Sequence, residues 1–413
     1  MIGRACGTVT ATRGGLVHVV VPGARVGDGL RIVASTGAVR ARVVAVDGTH
    51  ATAAPFGAVD GIAAGDRALA DPSVLALPLG TALLGRAIDA AGDALDGGPR
   101  VRGRRVVCET PAPVPERRAP CAGVLWTGVR AIDGPLAIAR GARAGIVGAP
   151  GAGKTTLLDA IVRHADADAV VLALIGERGR EAQRRIAALD PRTAIVCATS
   201  DRAPAERVRA AEVAFAQAAA LRRRGLDVLL VVDSLARVST AARDVALAAG
   251  EPAGRGGYPP SALAILARLL EIAGPADGGT ITLIASVLAD GDGEDDPIVV
   301  AARAALDGHI VLSERLARAG RFPAIDLARS ASRTLADAAS PAHADAARVL
   351  RGAWAVLDES REARALGVAP RDAFAARAAA GEAAIDAFLL QGSEPSAPEA
   401  TLAALLRLAD TLT

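Results

Sequence analysis

Eight consecutive residues carry the plainest chemistry in this sequence: Gly148, Ala149, Pro150, Gly151, Ala152, Gly153, Lys154 and Thr155. Glycines at the first and sixth positions let several backbone N–H groups turn toward one anion, and a helix opening at residue 154 would add the positive end of its dipole. In that cradle Lys154 would neutralise β- and γ-phosphate oxygens, and the Thr155 hydroxyl would ligate Mg²⁺. Thr156 continues the same turn. The spacing is that of a P-loop, and it implies ATP with Mg²⁺. Its context fits, because Ala144-Gly145-Ile146-Val147 reads as the strand before it and Thr156-Leu157-Leu158-Asp159-Ala160-Ile161 as the helix after it. Lys154 is also the single lysine among 47 basic residues. A coding preference for arginine explains the missing lysines but not the retained one. A compact ammonium fits between phosphates where a planar guanidinium is too wide.

Two acidic residues stand at the ends of apolar runs. Asp233 closes Val228-Leu229-Leu230-Val231-Val232. A carboxylate at the carboxyl end of a buried parallel strand faces the ligand crevice, where it would hold Mg²⁺ beside Thr155. The competing reading is a cap on the next helix. Glu177 follows Leu172-Ala173-Leu174-Ile175-Gly176. It can polarise the water that attacks a γ-phosphate, with Arg178 holding phosphate or orienting it. A charged loop pair without function is the alternative. The acidic stretch from Asp290 to Asp296 does not make a calcium loop. Counting from Asp290, the sixth and twelfth positions are Asp295 and Ala301, where Gly and Glu are needed, so a solvated loop is expected.

These residues need a scaffold, and 413 residues are enough for two or three domains. Residues 1–72 read as short strands with tight turns, among them 16–21 ended by Pro22-Gly23 and 39–46 ended by Asp47-Gly48. They predict a small β-barrel. Residues 73–340 alternate apolar strands (142–147, 169–175, 193–198, 227–232, 280–287, 309–312) with helices (154–164, 178–189, 204–224, 260–273). That alternation predicts a mostly parallel sheet covered on both faces. Residues 341–413 read as helices over 344–357, 370–390 and 398–412. Trp354 with Leu350 and Leu357, and Phe388 with Ile385 and Leu389, fall at helical spacing and read as core. The fold class is α/β: a P-loop core with a parallel sheet, an N-terminal β-barrel and a C-terminal helical domain.

Composition narrows the partners. A net charge of +2 gives no strong electrostatic grip on nucleic acid. Phe56 is the one aromatic in residues 1–72, too few for a base-stacking barrel. Cys6, Cys108, Cys121 and Cys197 form no CxxC pair, so neither a disulfide framework nor a zinc site is expected, and a reducing cytosol suits them. No apolar run is long enough to span a bilayer.

Further segments carry a resemblance. In order they are Thr127-Gly128-Val129-Arg130-Ala131-Ile132-Asp133-Gly134, Leu174-Ile175-Gly176-Glu177-Arg178-Gly179-Arg180-Glu181, Val232-Asp233-Ser234-Leu235-Ala236-Arg237 and Gly257-Tyr258-Pro259-Pro260-Ser261. Asp307-Gly308-His309-Ile310-Val311-Leu312-Ser313 and Phe322-Pro323-Ala324-Ile325-Asp326 follow. The chain resembles the ATPases of type III protein secretion, flagellar and injectisome, which are relatives of the rotary ATP synthase catalytic subunit. The resemblance is close over about residues 4–340 and looser beyond. It implies a RecA-like core and a homohexamer at the cytoplasmic mouth of an export gate, peripheral to the inner membrane. Secretion substrates, their chaperones, and stalk and regulator proteins would be its partners, with no nucleic acid. It further implies Glu177 as the catalytic carboxylate, Arg178 as a phosphate contact, Arg333 as an arginine finger given to the neighbour's nucleotide, and Phe322 as the residue stacking on adenine.

The sequence departs from the family at several points. Ile272 follows Glu271 where Arg is usual, and an Arg that held the γ-phosphate there would be missed in turnover. Ala236 stands where Thr is common. The amino terminus is short, and the family's helical leader is read as absent. Other readings are a rotary ATP synthase subunit, a hexameric nucleic-acid translocase and a nucleotide sensor that does not hydrolyse. The Gly-Glu-Arg-Gly-Arg-Glu wording at 176–181 favours the secretion branch, with the injectisome ahead of the flagellum.

Overall fold

The computed structural model describes residues 6–108, 110–288 and 296–413. The acidic loop expected from Asp290 lies almost wholly outside them; Asp296 caps the helix that follows, accepting from the N–H groups of Ile298 and Val299.

Six strands, β1 (Cys6–Arg13), β2 (Leu16–Val20), β3 (Gly29–Ala34), β4 (Gly37–Asp47), β5 (His50–Pro55) and β6 (Arg67–Ala70), close into a barrel in the order β1-β2-β5-β4-β3-β6. Alternation along each strand puts Val17, Val19, Leu30, Ile32, Val43 and Ala53 inside. The Asp47-Gly48 turn joins β4 to β5 as expected, with Asp47 opposite His50 and Gly48 at φ +58°.

Short pieces follow. β7 (Ala76–Pro78) precedes β8 (Arg86–Ile88) and pairs with β9 (Arg105–Val107), and β10 (Val124–Leu125) pairs with β11 (Ile138–Ala139). The large sheet takes β12 (Arg143–Gly148), β13 (Ala169–Ile175), β14 (Thr193–Ala198), β15 (Asp227–Asp233), β16 (Thr280–Leu288), β17 (Gly308–Leu312) and β18 (Ile325–Ser332). Its order is β18-β17-β12-β16-β15-β13-β14-β8. Pairing is parallel for β12 with β16 and β17, and for β14 with β13 and β8; β18 runs antiparallel to β17.

The helices between strands are α1 (Arg130–Asp133), α2 (Lys154–His164), α3 (Gly179–Ala187), α4 (Pro204–Arg222), α5 (Leu235–Ala248), α6 (Pro260–Leu270), α7 (Pro297–Ala305), α8 (Glu314–Arg318) and α9 (Leu335–Ala338). After them come α10 (Pro341–Glu359), α11 (Arg361–Ala365), α12 (Ala373–Ala380), α13 (Glu382–Leu389) and α14 (Pro398–Leu412).

The chain forms two compact units. One comprises residues up to 113 with 169–224 and 232–272. It holds the barrel, β13, β14 and α3 to α6. Its central helix α4 is alanine-rich and buried nearly all round, which lets it pack on β13, β14 and α5 at once. Phe56 lies here, with the Arg209 guanidinium 5.5 Å from its ring centroid.

The other unit comprises 114–168, 225–231 and 273–413. It holds β12, β16 to β18, α2 and the C-terminal helices. Leu350, Trp354, Leu357, Ile385, Phe388 and Leu389 are all buried, as their spacing predicted. The helix expected over 370–390 is two helices, α12 and α13, meeting at Gly381. A Cβ at Gly381 would come within 3.0 Å of the Leu412 side chain, so glycine permits the close approach of α14 there.

Candidate active site

The phosphate-binding loop lies in the second unit, where β12 hands over to α2. Close packing forces its first glycine, because a Cβ on Gly148 would sit 3.0 Å from the Leu312 side chain on β17. Backbone conformation forces the later ones: Gly151 has φ +82° and Gly153 has φ +94°, the left-handed region that glycine occupies without strain. Gly153 is the residue before α2, and no side chain caps that helix. A glycine there spends no side-chain acceptor on the first-turn N–H groups, as an oxyanion site at a helix start requires. Lys154 Nζ donates to the carbonyls of Gly148 at 2.5 Å and Ala149 at 2.7 Å, which keeps the ammonium in the mouth of the loop. Thr155 is half-buried and Thr156 is exposed on the same turn. The glycine conformations, the uncapped turn and the held ammonium suit a nucleotide polyphosphate.

Beside this loop is a pocket of about 280 Å³, walled by Ala152, Gly153, Thr156, Leu312, Phe322 and Pro323. Phe322 is 47% exposed, which is unusual for so apolar a ring. Its edge lies 3.6 Å from where a Gly153 Cβ would project. Gln391 also lines the pocket, held by donating to the Gly128 and Glu394 carbonyls at 2.7 Å while accepting from Arg130 N at 2.9 Å. A flat apolar ring next to a phosphate cradle suits a purine base.

The acidic residues lie in the first unit, at the carboxyl ends of their strands. Asp233 ends β15 and is buried, with Arg185 Nη1 of α3 donating to its Oδ2 at 3.0 Å. It does not cap α5; Ser234 does, accepting from Arg237 N. Glu177 follows β13, and Arg237 Nη1 of α5 lies 2.9 Å from its Oε1. The same guanidinium donates to the Gly176 carbonyl. Gly176 has φ +71°, and a Cβ there would meet Arg237 Cδ at 2.7 Å, so glycine makes the room that this arginine occupies. Burial, the nearby Asp233 charge and a hydrogen bond with Glu181 push the Glu177 carboxyl up to about 7, against the pull of Arg237. A carboxyl poised there can accept a proton near neutrality.

The remaining expected residues are placed differently. Arg178 is exposed at the entrance to α3, and it is Arg237 that orients Glu177. Arg333 is exposed just past β18, its backbone N donating to the Asp307 carbonyl at 2.9 Å. Arg185, Arg237 and Gln391 were not singled out in the sequence. Arg237 does fall in the segment 232–237, but nothing in a linear reading pairs it with a carboxylate 60 positions upstream.

Comparison with known proteins decides the family. Residues 128–332 match the ATP synthase alpha/beta family, nucleotide-binding domain. The chain is 39% identical to the type 3 secretion system ATPase of Pseudomonas syringae pv. tomato over 99% of its own length and 95% of that protein. The chain belongs to the type III secretion ATPase family. It is also 40% identical to the flagellum-specific ATP synthase of Pseudomonas aeruginosa, over 80% of this chain and 75% of that one. Among solved structures, the assembled ATPase EscN from the enteropathogenic E. coli type III secretion system superposes with a TM-score of 0.92 at 36% identity. That match covers 98% of this chain and 100% of EscN. EscN in complex with its central stalk EscO matches with a TM-score of 0.88 at the same identity. As a member of this family the chain is an ATP-hydrolysing export ATPase.

The Ile272 departure has a local setting. Ile272 is buried at the end of α6 and its carbonyl accepts from the buried Arg222 Nη1 at 2.7 Å. Its side chain is therefore a core contact. Across the described residues no helix is long and apolar enough to cross a membrane.

Proposed function

We propose that the chain is the ring-forming motor of an injectisome-type export apparatus, hydrolysing ATP at sites completed by a neighbouring copy. The observation that carries this reading is the phosphate cradle at the start of α2, with its held Lys154 and the Phe322 pocket beside it. Gly148, Ala149, Pro150, Gly151, Ala152 and Gly153 hold the phosphates through the backbone, with Lys154, Thr155 and Thr156, and Phe322 stacks on the base. Thr155 and Asp233 are the oxygen donors suited to Mg²⁺, which when bound offsets phosphate charge. Glu177 takes a proton from a water whose oxygen bonds to the γ-phosphorus, while the bond from that phosphorus to the β–γ bridging oxygen breaks. ADP and phosphate result. Arg178 contacts phosphate, and Arg333 from the neighbouring copy offsets charge on the transferring phosphoryl group.

Near-complete alignment with injectisome ATPases, and the likeness to EscN alone and with its stalk, support a hexamer that receives a stalk protein. Export substrates and their chaperones would then be handled at the membrane face of the apparatus, from the cytoplasm. The flagellar branch remains the second reading, favoured by the 40% identity to the flagellum-specific relative. Specific ATPase activity of the purified chain should rise with protein concentration in step with ring mass measured by native mass spectrometry. Activity per subunit that stays constant as rings dissociate would refute the ring reading.

A further inference from the structure

We propose that Asp307 is a positioning residue that fixes the root of Arg333 to the strand feeding the phosphate-binding loop. It thereby ties each copy's arginine to its own nucleotide loop. This rests on reading Arg333 as the group given to the neighbouring copy.

Asp307 is bonded both to Arg143 of β12 and to Arg333, the first residue past β18. Its backbone N donates to the Arg143 carbonyl at 2.8 Å, and its own carbonyl accepts from Arg333 N at 2.9 Å. Its Oδ2 accepts from Arg143 N at 2.9 Å and from Arg143 Nε at 3.3 Å, and its Oδ1 from Nη2 at 3.4 Å. Arg143 is the first residue of β12, and Gly148, the last, opens the loop. One residue therefore joins the start of the strand that ends in the phosphate cradle to the first residue past β18.

The surroundings make that root stiff. A Cβ on Gly308 would come within 2.7 Å of the Ala331 carbonyl, so β17 and β18 are pressed together where Arg333 departs. Ser332 Oγ donates to the Ala137 carbonyl at 2.8 Å. The Arg333 side chain itself is exposed, and no ion pair holds it among the described residues. A fixed base with a free tip is what an arm reaching into another subunit's site requires, because misplacing a catalytic group by about 1 Å can cost about 10²-fold in rate. The plainer reading is a part-exposed ion pair of little consequence, since the Arg143 and Asp307 side chains are 20% and 29% exposed. That reading leaves unused the fact that the main-chain carbonyl of the residue whose carboxylate grips Arg143 is the acceptor for Arg333 N.

The test is complementation in mixed rings. Asp307→Ala should lower kcat by about 10²-fold with KM for ATP nearly unchanged. Mixed with Glu177→Gln subunits, it should regain activity, because interfaces then form with an intact Glu177 on one side and a well-held Arg333 on the other. Mixed with Arg333→Ala subunits, it should regain none, since both damage the same side. Arg143→Gln, which removes the guanidinium bonds to Asp307 and leaves those of the Arg143 main chain, should fall in the same class with a smaller loss, and serves if Asp307→Ala does not fold. Full activity of Asp307→Ala, or failure of both foldable variants to complement Glu177→Gln while Arg333→Ala does so, overturns the inference. If Arg333→Ala also fails to complement, the shared-site reading itself is wrong and the inference falls with it.

Discussion

Arg237 and Glu177 are paired at the end of β13, Nη1 to Oε1 at 2.9 Å, with the same guanidinium donating to the Gly176 carbonyl. The arginine fixes the carboxylate's direction while its charge restrains a pKa that burial drives upward. The pair sets both where the proposed base points and when it is ionised.

A pH profile reads this directly. Burial holds the Glu177 carboxyl at about 7, so a base that must be ionised gains activity as pH rises through that value. Hydrolysis should show an acid limb with its midpoint near 7. Arg237→Gln removes the nearby positive charge, disfavours the carboxylate and should move the midpoint to higher pH. A loss of activity with the midpoint unmoved would make Arg237 a scaffold residue only.

Lys154 offers a chemical test that most chains do not. With one lysine present, low-stoichiometry acylation can reach only Lys154 and the amino terminus. Nucleotide drawing the ammonium onto phosphate should protect it, as peptide mass mapping with and without ATP would record. Lys154→Ala should abolish hydrolysis in a folded chain, and retained activity would end the loop's assignment.

Phe322 should govern base recognition. Phe322→Ala removes the exposed ring beside Gly153 and should weaken ATP binding by about 1 kcal/mol, close to fivefold to tenfold in KM, with kcat little changed. Phe322→Tyr should be near neutral. An unchanged KM for the alanine variant would place the base elsewhere.

Much of this was legible in the sequence for a physical reason. β13 and residues 194–198 of β14 are unbroken apolar runs, and α2 keeps its expected bounds between the left-handed Gly153 and the non-helical Ala165. The barrel's alternation and the Asp47-Gly48 turn were equally local signals. What stayed hidden was non-local or weakly patterned. β18 reads Ile-Asp-Leu-Ala-Arg-Ser-Ala-Ser, poor in β-formers, and is held by pairing with β17. β8 is three residues long and is held by pairing with β14 and a bridge to Ala94. The pairs Arg185–Asp233 and Arg237–Glu177 join residues 48 and 60 positions apart in sequence, and no periodicity encodes them. Phe322 and Arg333 were reached through family resemblance alone.

Ile272 tests whether a departure from the family is a defect. Its side chain is buried and its carbonyl already serves Arg222. Ile272→Arg would place a second guanidinium in that core, at a cost of at least about 2 kcal/mol. Thermal melting should show lowered stability without a gain in kcat. Raised turnover at unchanged stability would mean that the native isoleucine had cost the enzyme a functional arginine.

If the ATP site is shared between copies, mixing two kinds of defective subunit should rebuild it. Glu177→Gln and Arg333→Ala chains should each bind ATP and turn it over at least about 10²-fold more slowly than the native chain. Co-assembled, with mixed rings verified by native mass spectrometry, they should recover a substantial fraction of native activity, because some interfaces pair an intact Glu177 with an intact Arg333. Verified mixed rings that remain inert would mean that the site is not shared, since residues acting within one chain cannot rescue each other across a subunit boundary.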